Sequence, residues 1–278
     1  MPAAKKTGTA VAKAAPKSTA VQTLDAAQVA AFESQSEQQF SLDDLATPWL
    51  RVLQPLSGAV QKKGEEYVQG AEPGMFFNTA SKELWDGEEG IHFIPVYHEV
   101  SYTEWTKGSK TVKSKFVKDH RTVALPTQQD DDNNEVLANG NVLRFAHKYF
   151  GFVTNVEDGA VTPVIFNLAG MQRRKARAWN TAMDAWREPK SNGSGFFKPH
   201  PFYGVYLIKT VFESNDKGNW YGIELPVRVA LTKDLPNGWT IFQEAALFAQ
   251  NAHKGLVKEA AIEDAEDVVI TKPNDGKF

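Results

Sequence analysis

Ile91–Trp105 reads IHFIPVYHEVSYTEW. Apolar and aromatic residues alternate with polar ones along it, the period of a half-buried strand. In an unbroken strand Ile94, Val96, Val100 and Tyr102 share one face, and Phe93, Tyr97, Glu99, Thr103 and Trp105 point the other way. Pro95 removes one ladder donor, so the strand either lies at a sheet edge or carries a bulge there.

The segments around it are also strand-like. Trp49–Leu53 is a short apolar run ended by Pro55, and Gly70–Gly74 and Asp86–Gly90 are turn clusters. Val142–Thr154 returns to strand character, with Arg144 and Lys148 on one side and Phe145 and Tyr149 on the other. Val161–Phe166 is another short strand. Phe202–Phe212 and Asn219–Leu231 give the clearest hairpin signal, joined through Ser214–Gly218. Within it Tyr221, Ile223, Leu225, Val227, Val229 and Leu231 share a face expected to be core, with Trp220, Glu224 and Arg228 opposite. Leu125–Asn141 is polar around Asp130–Asp132 and reads as a loop.

Helical spacing is confined to few places. Leu168–Arg187 sets Leu168, Ala176, Trp179, Met183 and Trp186 on one side and Arg173, Arg177, Asn180, Asp184 and Arg187 on the other. Asp234–Ala261 reads as one or two further helices, and Leu24–Phe40 as a short one. The fold class that follows is mainly β with peripheral helices, a β-rich α+β protein. Residues 1–41 form a basic tail that is expected to be disordered, 42–258 the folded domain and 259–278 an acidic tail.

Composition narrows the function. The chain has 278 residues, a net charge of −3, 42% hydrophobic residues and no cysteine. Disulfides, thiolate zinc sites and cysteine nucleophiles are therefore excluded. No apolar run approaches the roughly 20 residues needed to span a bilayer, so no membrane partner is expected. There is no GK[ST] phosphate loop, no G-x-G-x-x-G and no G-x-S-x-G. The six histidines are scattered and form no H-x-x-x-H pair. No catalytic residue, metal or cofactor is assigned.

Against that acidic background, two stretches braid cations with rings. Thr103–Arg121 carries six Lys/Arg against two acids, with Trp105 and Phe116 among them. Gly170–Lys190 carries six more, with Trp179 and Trp186. Cations meet phosphates and flat rings meet bases, so the pattern suits an unpaired nucleic-acid strand. The candidate contacts are Trp105, Lys107, Lys110, Lys113, Lys115 and Lys118 in the first stretch. Arg144, Lys148 and Tyr149 come from the strand Val142–Thr154, and Arg173, Arg174 and Arg177 from the first turns of the helix. Phe197 and Lys198 lie in the Gly/Ser loop Ser191–Pro201, which reads as a moving ligand contact or as a plug on the sheet's end. Trp220 and Arg228 complete the set; Trp220 reads either as a stacking platform or as covered by helices. Trp179 and Trp186 fall on the apolar stripe and are assigned to the core. The bland alternative for the lysines is protection of an exposed hairpin edge.

The order of these motifs carries a resemblance. Leu50–Leu56 (LRVLQPL), Gly74–Asn78 (GMFFN) and Phe93–Tyr97 (FIPVY) with Trp105 precede the Arg/Lys helix Met171–Met183 and the hairpin's Asn219–Tyr221 (NWY). Across Leu42–Leu231 this is similar to bacteriophage proteins that include single-stranded DNA-binding proteins of replication and recombination. The resemblance implies an OB-like antiparallel β-barrel with insertions, binding DNA without strong sequence preference. It further implies replication or recombination partners docked through the acidic C-terminus at Phe278, a host-cytoplasmic location for a phage-encoded protein, and compatibility with a homo-oligomer. Two other functions share the pattern: a structural or assembly protein of the phage particle, and a strand-annealing or metal-dependent nuclease protein.

Overall fold

A computed structural model describes residues 46–108, 114–131, 134–215 and 218–261. The expectations placed on the N-terminal tail, on Leu24–Phe40, on Lys110, Lys113 and Asp132, and on the C-terminal residues up to Phe278 lie outside them. In chain order the elements are β1 (Trp49–Val52), β2 (Phe76–Asn78), β3 (Leu84–Trp85) and β4 (Ile91–Trp105). The short strands β5 (Phe116–Asp119), β6 (Gln128–Gln129) and β7 (Glu135–Val136) follow, so the stretch read as a plain loop holds a small ladder of its own. Next come β8 (Val142–Thr154), β9 (Val161–Ala169), α1 (Arg173–Ala185), β10 (Glu188–Pro189) and β11 (Phe196–Phe197). The chain then adds β12 (Gly204–Ile208), β13 (Thr210–Asn215), β14 (Gly218–Ile223), β15 (Val227–Leu231) and α2 (Gly238–His253). The fold is mainly β with two α-helices among the described residues, as the sequence pattern requires.

The main sheet is curled and runs in the order β15, β12, β4, β8, β9, β1, β2, β3. Its pairs are antiparallel except β1 with β9, which is parallel. Its spine is β4 against β8, in register from His92↔Thr154 to Trp105↔Val142. Pro95 therefore sits in a central strand, not at an edge, and the ladder accommodates it by a bulge. Pairing steps from Pro95↔Gly151 to Tyr97↔Phe150 and leaves Val96 without a partner.

The bulge inverts the expected alternation. Ile94 and Val96 pack in one cluster with Phe152, Val205 and Ile241, and Tyr97 then falls on that same side, against Phe150. Beyond it, His98, Val100 and Tyr102 share the side of Phe145, His147 and Tyr149, while Glu99, Ser101, Thr103 and Trp105 share the side of Arg144 and Lys148. Gly151 is the residue that permits this crossing. A Cβ there would stand 2.4 Å from the Ile94 carbonyl oxygen and 2.4 Å from the Phe93 ring.

Each face of the sheet takes one helix. α1 buries Ala176, Trp179 and Met183, spaced for one stripe, against Phe93, Tyr149 and Tyr206. Trp179 is completely buried, with ring contacts to Phe93, Tyr149 and Tyr206. The strand before it continues through Ala169 and a short 3-10 turn, Gly170–Gln172, so helical structure begins later than Leu168. α2 buries Ile241, Ala245 and Ala252 against the other face, and Phe248 stacks on Phe152.

Phe202–Phe212 and Asn219–Leu231 do form one long ribbon, in two parts. β13 pairs with β14 from Thr210↔Ile223 to Asn215↔Gly218, and β12 pairs with β15 from Gly204↔Leu231 to Leu207↔Val227. Among the described residues the Glu224 amide alone, bonded to the Lys209 carbonyl at 2.9 Å, spans the break before Pro226 by a main-chain bond. The break overturns the single core face expected for this strand. Ile223 is buried, but Leu225, Val227 and Val229 are exposed.

Candidate functional site

A groove of about 610 Å³ opens on the α2 side of the sheet, along the far half of β4 and β8. Its cause is a fork in the sheet. β1 and β9 stay together for only two pairs, Trp49↔Ile165 and Leu50↔Phe166. β9 then follows β8 to Ala169, while β1 follows β2. The β13–β14 hairpin closes the far end. Gln54 exchanges two 2.9 Å bonds with the Tyr221 main chain, and Gln172 accepts the Ile223 amide at 3.1 Å.

Of the candidate contacts, the groove brings together Trp105, Arg144, Lys148 and Trp220. Trp105 is only 5% exposed. Its edge packs on Phe116, its indole N–H donates to Thr103 Oγ1 at 2.9 Å, and the Arg144 guanidinium lies 4.8 Å from its ring centre. Trp220 is buried too, and its Nε1 donates to Glu213 Oε2 at 2.6 Å. Trp105 lacks the free face that the sequence reading assigns it, and Trp220, for which that reading allows either outcome, has none.

Lys148 is completely buried, contrary to a role at the surface. Its ammonium meets Glu259 at 2.7 Å and Glu99 and Asp119 at 3.4 Å each. Burial opposes its charge, but Glu259, Asp119 and Glu99 outweigh that and hold its pKa above the ordinary lysine value. Glu259 reaches it from the C-terminal segment, which is pinned by a Thr47–Glu259 bridge and by the Trp49 indole donating to the Ala260 carbonyl at 3.0 Å.

The other candidates lie elsewhere. Tyr149 is fully buried on the α1 face, stacked near Trp179 with its hydroxyl donating to Asn180 Oδ1 at 2.8 Å, so it cannot stack on a base. Burial also raises its pKa. Arg173, Arg174 and Arg177 stand at the start of α1 on that same face, with Arg173 over the Phe145 ring at 4.1 Å. Phe197, Lys198 and Arg228 gather at the other end of α1. There Arg228 covers Trp186 at 3.9 Å, Phe197 meets Tyr203, and Lys198 binds Asp184. Lys107 pairs with Asp130 at 2.8 Å, and Lys115 and Lys118 are exposed around β5. The cations thus occupy separate places, not one continuous track.

The groove also contains residues the sequence reading passed over. Trp49 and Arg51 project into it from one face of β1, and Tyr221 from β14. The two-residue period of Trp49 and Arg51 was the available signal, masked by reading Trp49–Leu53 only as a short apolar run. Ser101, 1% exposed, lines the wall with its hydroxyl unpartnered among the described residues.

The family described as Pam3 phage gp34-like protein matches residues 16–258. The chain belongs to this family. No curated protein and no solved structure matches it. Membership in the gp34-like family places the chain among phage proteins, in line with the phage part of the resemblance. Among the described residues no cluster of histidine and acidic side chains is arranged to hold a metal, and no helix is long and apolar enough to cross a membrane. What this gp34-like chain presents in the groove is amphipathic. Three indoles, a phenol, two guanidiniums, the Lys148 ammonium with the Asp119 carboxylate, and several neutral hydrogen-bonding groups line one open channel.

Proposed function

We propose that the chain binds single-stranded DNA without strong sequence preference, holding it along the fork groove as a non-enzymatic phage protein of replication or recombination. The observation that carries this reading is the convergence of Trp49, Arg51, Trp105, Arg144, Trp220 and Tyr221, from four separate strands, on one groove. A curled β surface with rings and cations is the means by which OB-type barrels hold an unpaired strand, and the resemblance of Leu42–Leu231 supports the same mode. Because Arg144 covers Trp105, binding requires an exchange: the guanidinium moves to a phosphate and a base takes its place on the indole. Such stacking contributes about 1–3 kcal/mol per base. The resemblance supports partner docking through the C-terminus at Phe278.

Titrating tryptophan fluorescence with oligo-dT tests the reading. Quenching at low salt is expected. Each phosphate contact should steepen the fall of log affinity with log salt by about 0.7. An unchanged spectrum at low salt would remove this function from consideration.

A further inference from the structure

The α1 face carries a charged cluster that the groove does not use. Arg173, Arg174 and Arg177 occupy the first turns of α1, and none forms an ion pair among the described residues. That helix has no acidic residue in its first turn and no side-chain cap. Cations at the positive end of a helix dipole are unfavourable by themselves. The arrangement is one that an anion would relieve.

A second feature points to the same place. His147, 6% exposed, turns Nδ1 to His98 Nε2 at 2.9 Å, which leaves its own Nε2 on the opposite side. That Nε2 is buried and has no hydrogen-bond partner among the described residues, and the same is true of Arg173 Nε. The two residues are neighbours. The edge-on pair Phe145–His147 is 5.2 Å between centres, and Phe145 carries the Arg173 guanidinium. Two unsatisfied buried polar atoms beside cations that form no ion pair among the described residues are costly without a ligand.

We propose that this cluster is a phosphate-binding site, in which Arg173, Arg177 and His147 Nε2 hold the oxygens of one phosphate group at the amino end of α1. The inference does not depend on the groove. The chemistry is shared by free phosphate and by the backbone of a nucleic acid.

Phosphate binding at this site couples to a proton. In the free chain burial, then Arg173 and Arg177, lower the His147 pKa below its ordinary value. The other groups around it are His98 on β4, itself lowered to about 4 by burial and by His147, and Tyr102 and Glu135, which face Arg173. A bound phosphate offsets the two arginine charges that disfavour the imidazolium, so its binding favours uptake of a proton by His147.

Calorimetric titration of the full chain with inorganic phosphate tests this. One phosphate should bind, with a heat that varies with the buffer's ionisation enthalpy. Arg173→Met and His147→Phe should each weaken it by about tenfold or more, whereas Lys254→Met, at the exposed end of α2, should leave it unchanged. Nitrogen-edited NMR of the wild-type histidines gives a readout that survives a misfolded variant, since the His147 ring signals should shift with phosphate. Absence of both heat and shift overturns the site, as does binding that persists in folded Arg173→Met and His147→Phe chains. Oligo-dT titration of Arg173→Met separates the sources. Weaker binding identifies a backbone phosphate, and unchanged binding with phosphate affinity lost identifies a free one; either supports the site. Failure of the groove reading would show instead as Arg144→Ala binding oligo-dT like wild type.

Discussion

Arg144 lays its guanidinium 4.8 Å from the centre of the Trp105 ring, and the two side chains come from directly neighbouring strands with register Thr103↔Arg144 and Trp105↔Val142. The contact stores a stacking surface and a cation in one place. In the proposed exchange they are separated, one for a base and one for a phosphate. Arg144→Ala should therefore lower oligo-dT affinity and reduce the salt slope by about 0.7, the share of one phosphate contact. The loss of cation–π contact should cost about 0.5–2 kcal/mol in a denaturant titration of the free protein. An unchanged salt slope would separate Arg144 from phosphate contact.

Lys148 leads to a different expectation, because one ammonium serves three carboxylates. Lys148→Met leaves Glu99, Asp119 and Glu259 facing one another in a half-closed space. Removing one partner of a buried ionic group costs about 3–5 kcal/mol. The second substitution Glu259→Gln should restore part of that stability. Urea melts of the single and double variants check this; equal midpoints for wild type and Lys148→Met would show that the cluster contributes nothing.

Glu104 should mark the acid limb of stability. Hydrogen bonds from Asn141, then Asn139 and His120, pull its carboxyl from 4.5 down to about 2. A depressed folded-state pKa contributes stability that is fully present above the unfolded value and is lost as pH falls through the folded one. The loss should therefore run from about pH 4.5 toward pH 2. Glu104→Gln should be less stable at neutral pH and should show a shallower decline across that window. Thermal melts from pH 6 to pH 2 read it directly (roughly the span of the linkage). Parallel wild-type and variant curves would exclude Glu104 as the group responsible.

Strand identity was legible where local pattern and final neighbours agree. Ile91–Trp105 is a strand over its full predicted length because its residues alternate and no helix former competes. Its faces were not legible beyond Pro95, because the bulge at Val96 depends on pairing with Gly151, fifty-odd residues away in sequence. The ribbon partners of Phe202–Phe212 were legible for the same local reason, while the exposure of Val227 and Val229 follows from the break at Pro226. The site was harder still. Lys148 has the spacing of a surface lysine, and only the arrival of Asp119 and Glu259 from distant segments buries it. Trp49 and Arg51 gain meaning only once β1 and β9 diverge.

The bulge itself yields the sharpest test of the fold. Val96 is the one residue of β4 without a partner between Pro95↔Gly151 and Tyr97↔Phe150. Deleting it would let the ladder run on without a step and would leave Tyr97–Trp105 on their present faces, because Tyr97 would then follow Ile94 by two residues. Trp105 and Thr103 would still point toward the groove, and Tyr102 toward α1. The Trp105–Phe116 and Tyr97–Phe150 contacts survive, and the loss is the Val96 side chain from its cluster with Ile94 and Phe152. The deletion should therefore keep cooperative unfolding and cost about 1–3 kcal/mol, whereas deleting Val100, which keeps the bulge and turns Ser101–Trp105 over, should abolish it. Near-ultraviolet circular dichroism and thermal melts distinguish the two. A Val96 deletion variant that loses the near-ultraviolet signal and the sharp transition would mean that the strand reads its faces from something other than this bulge.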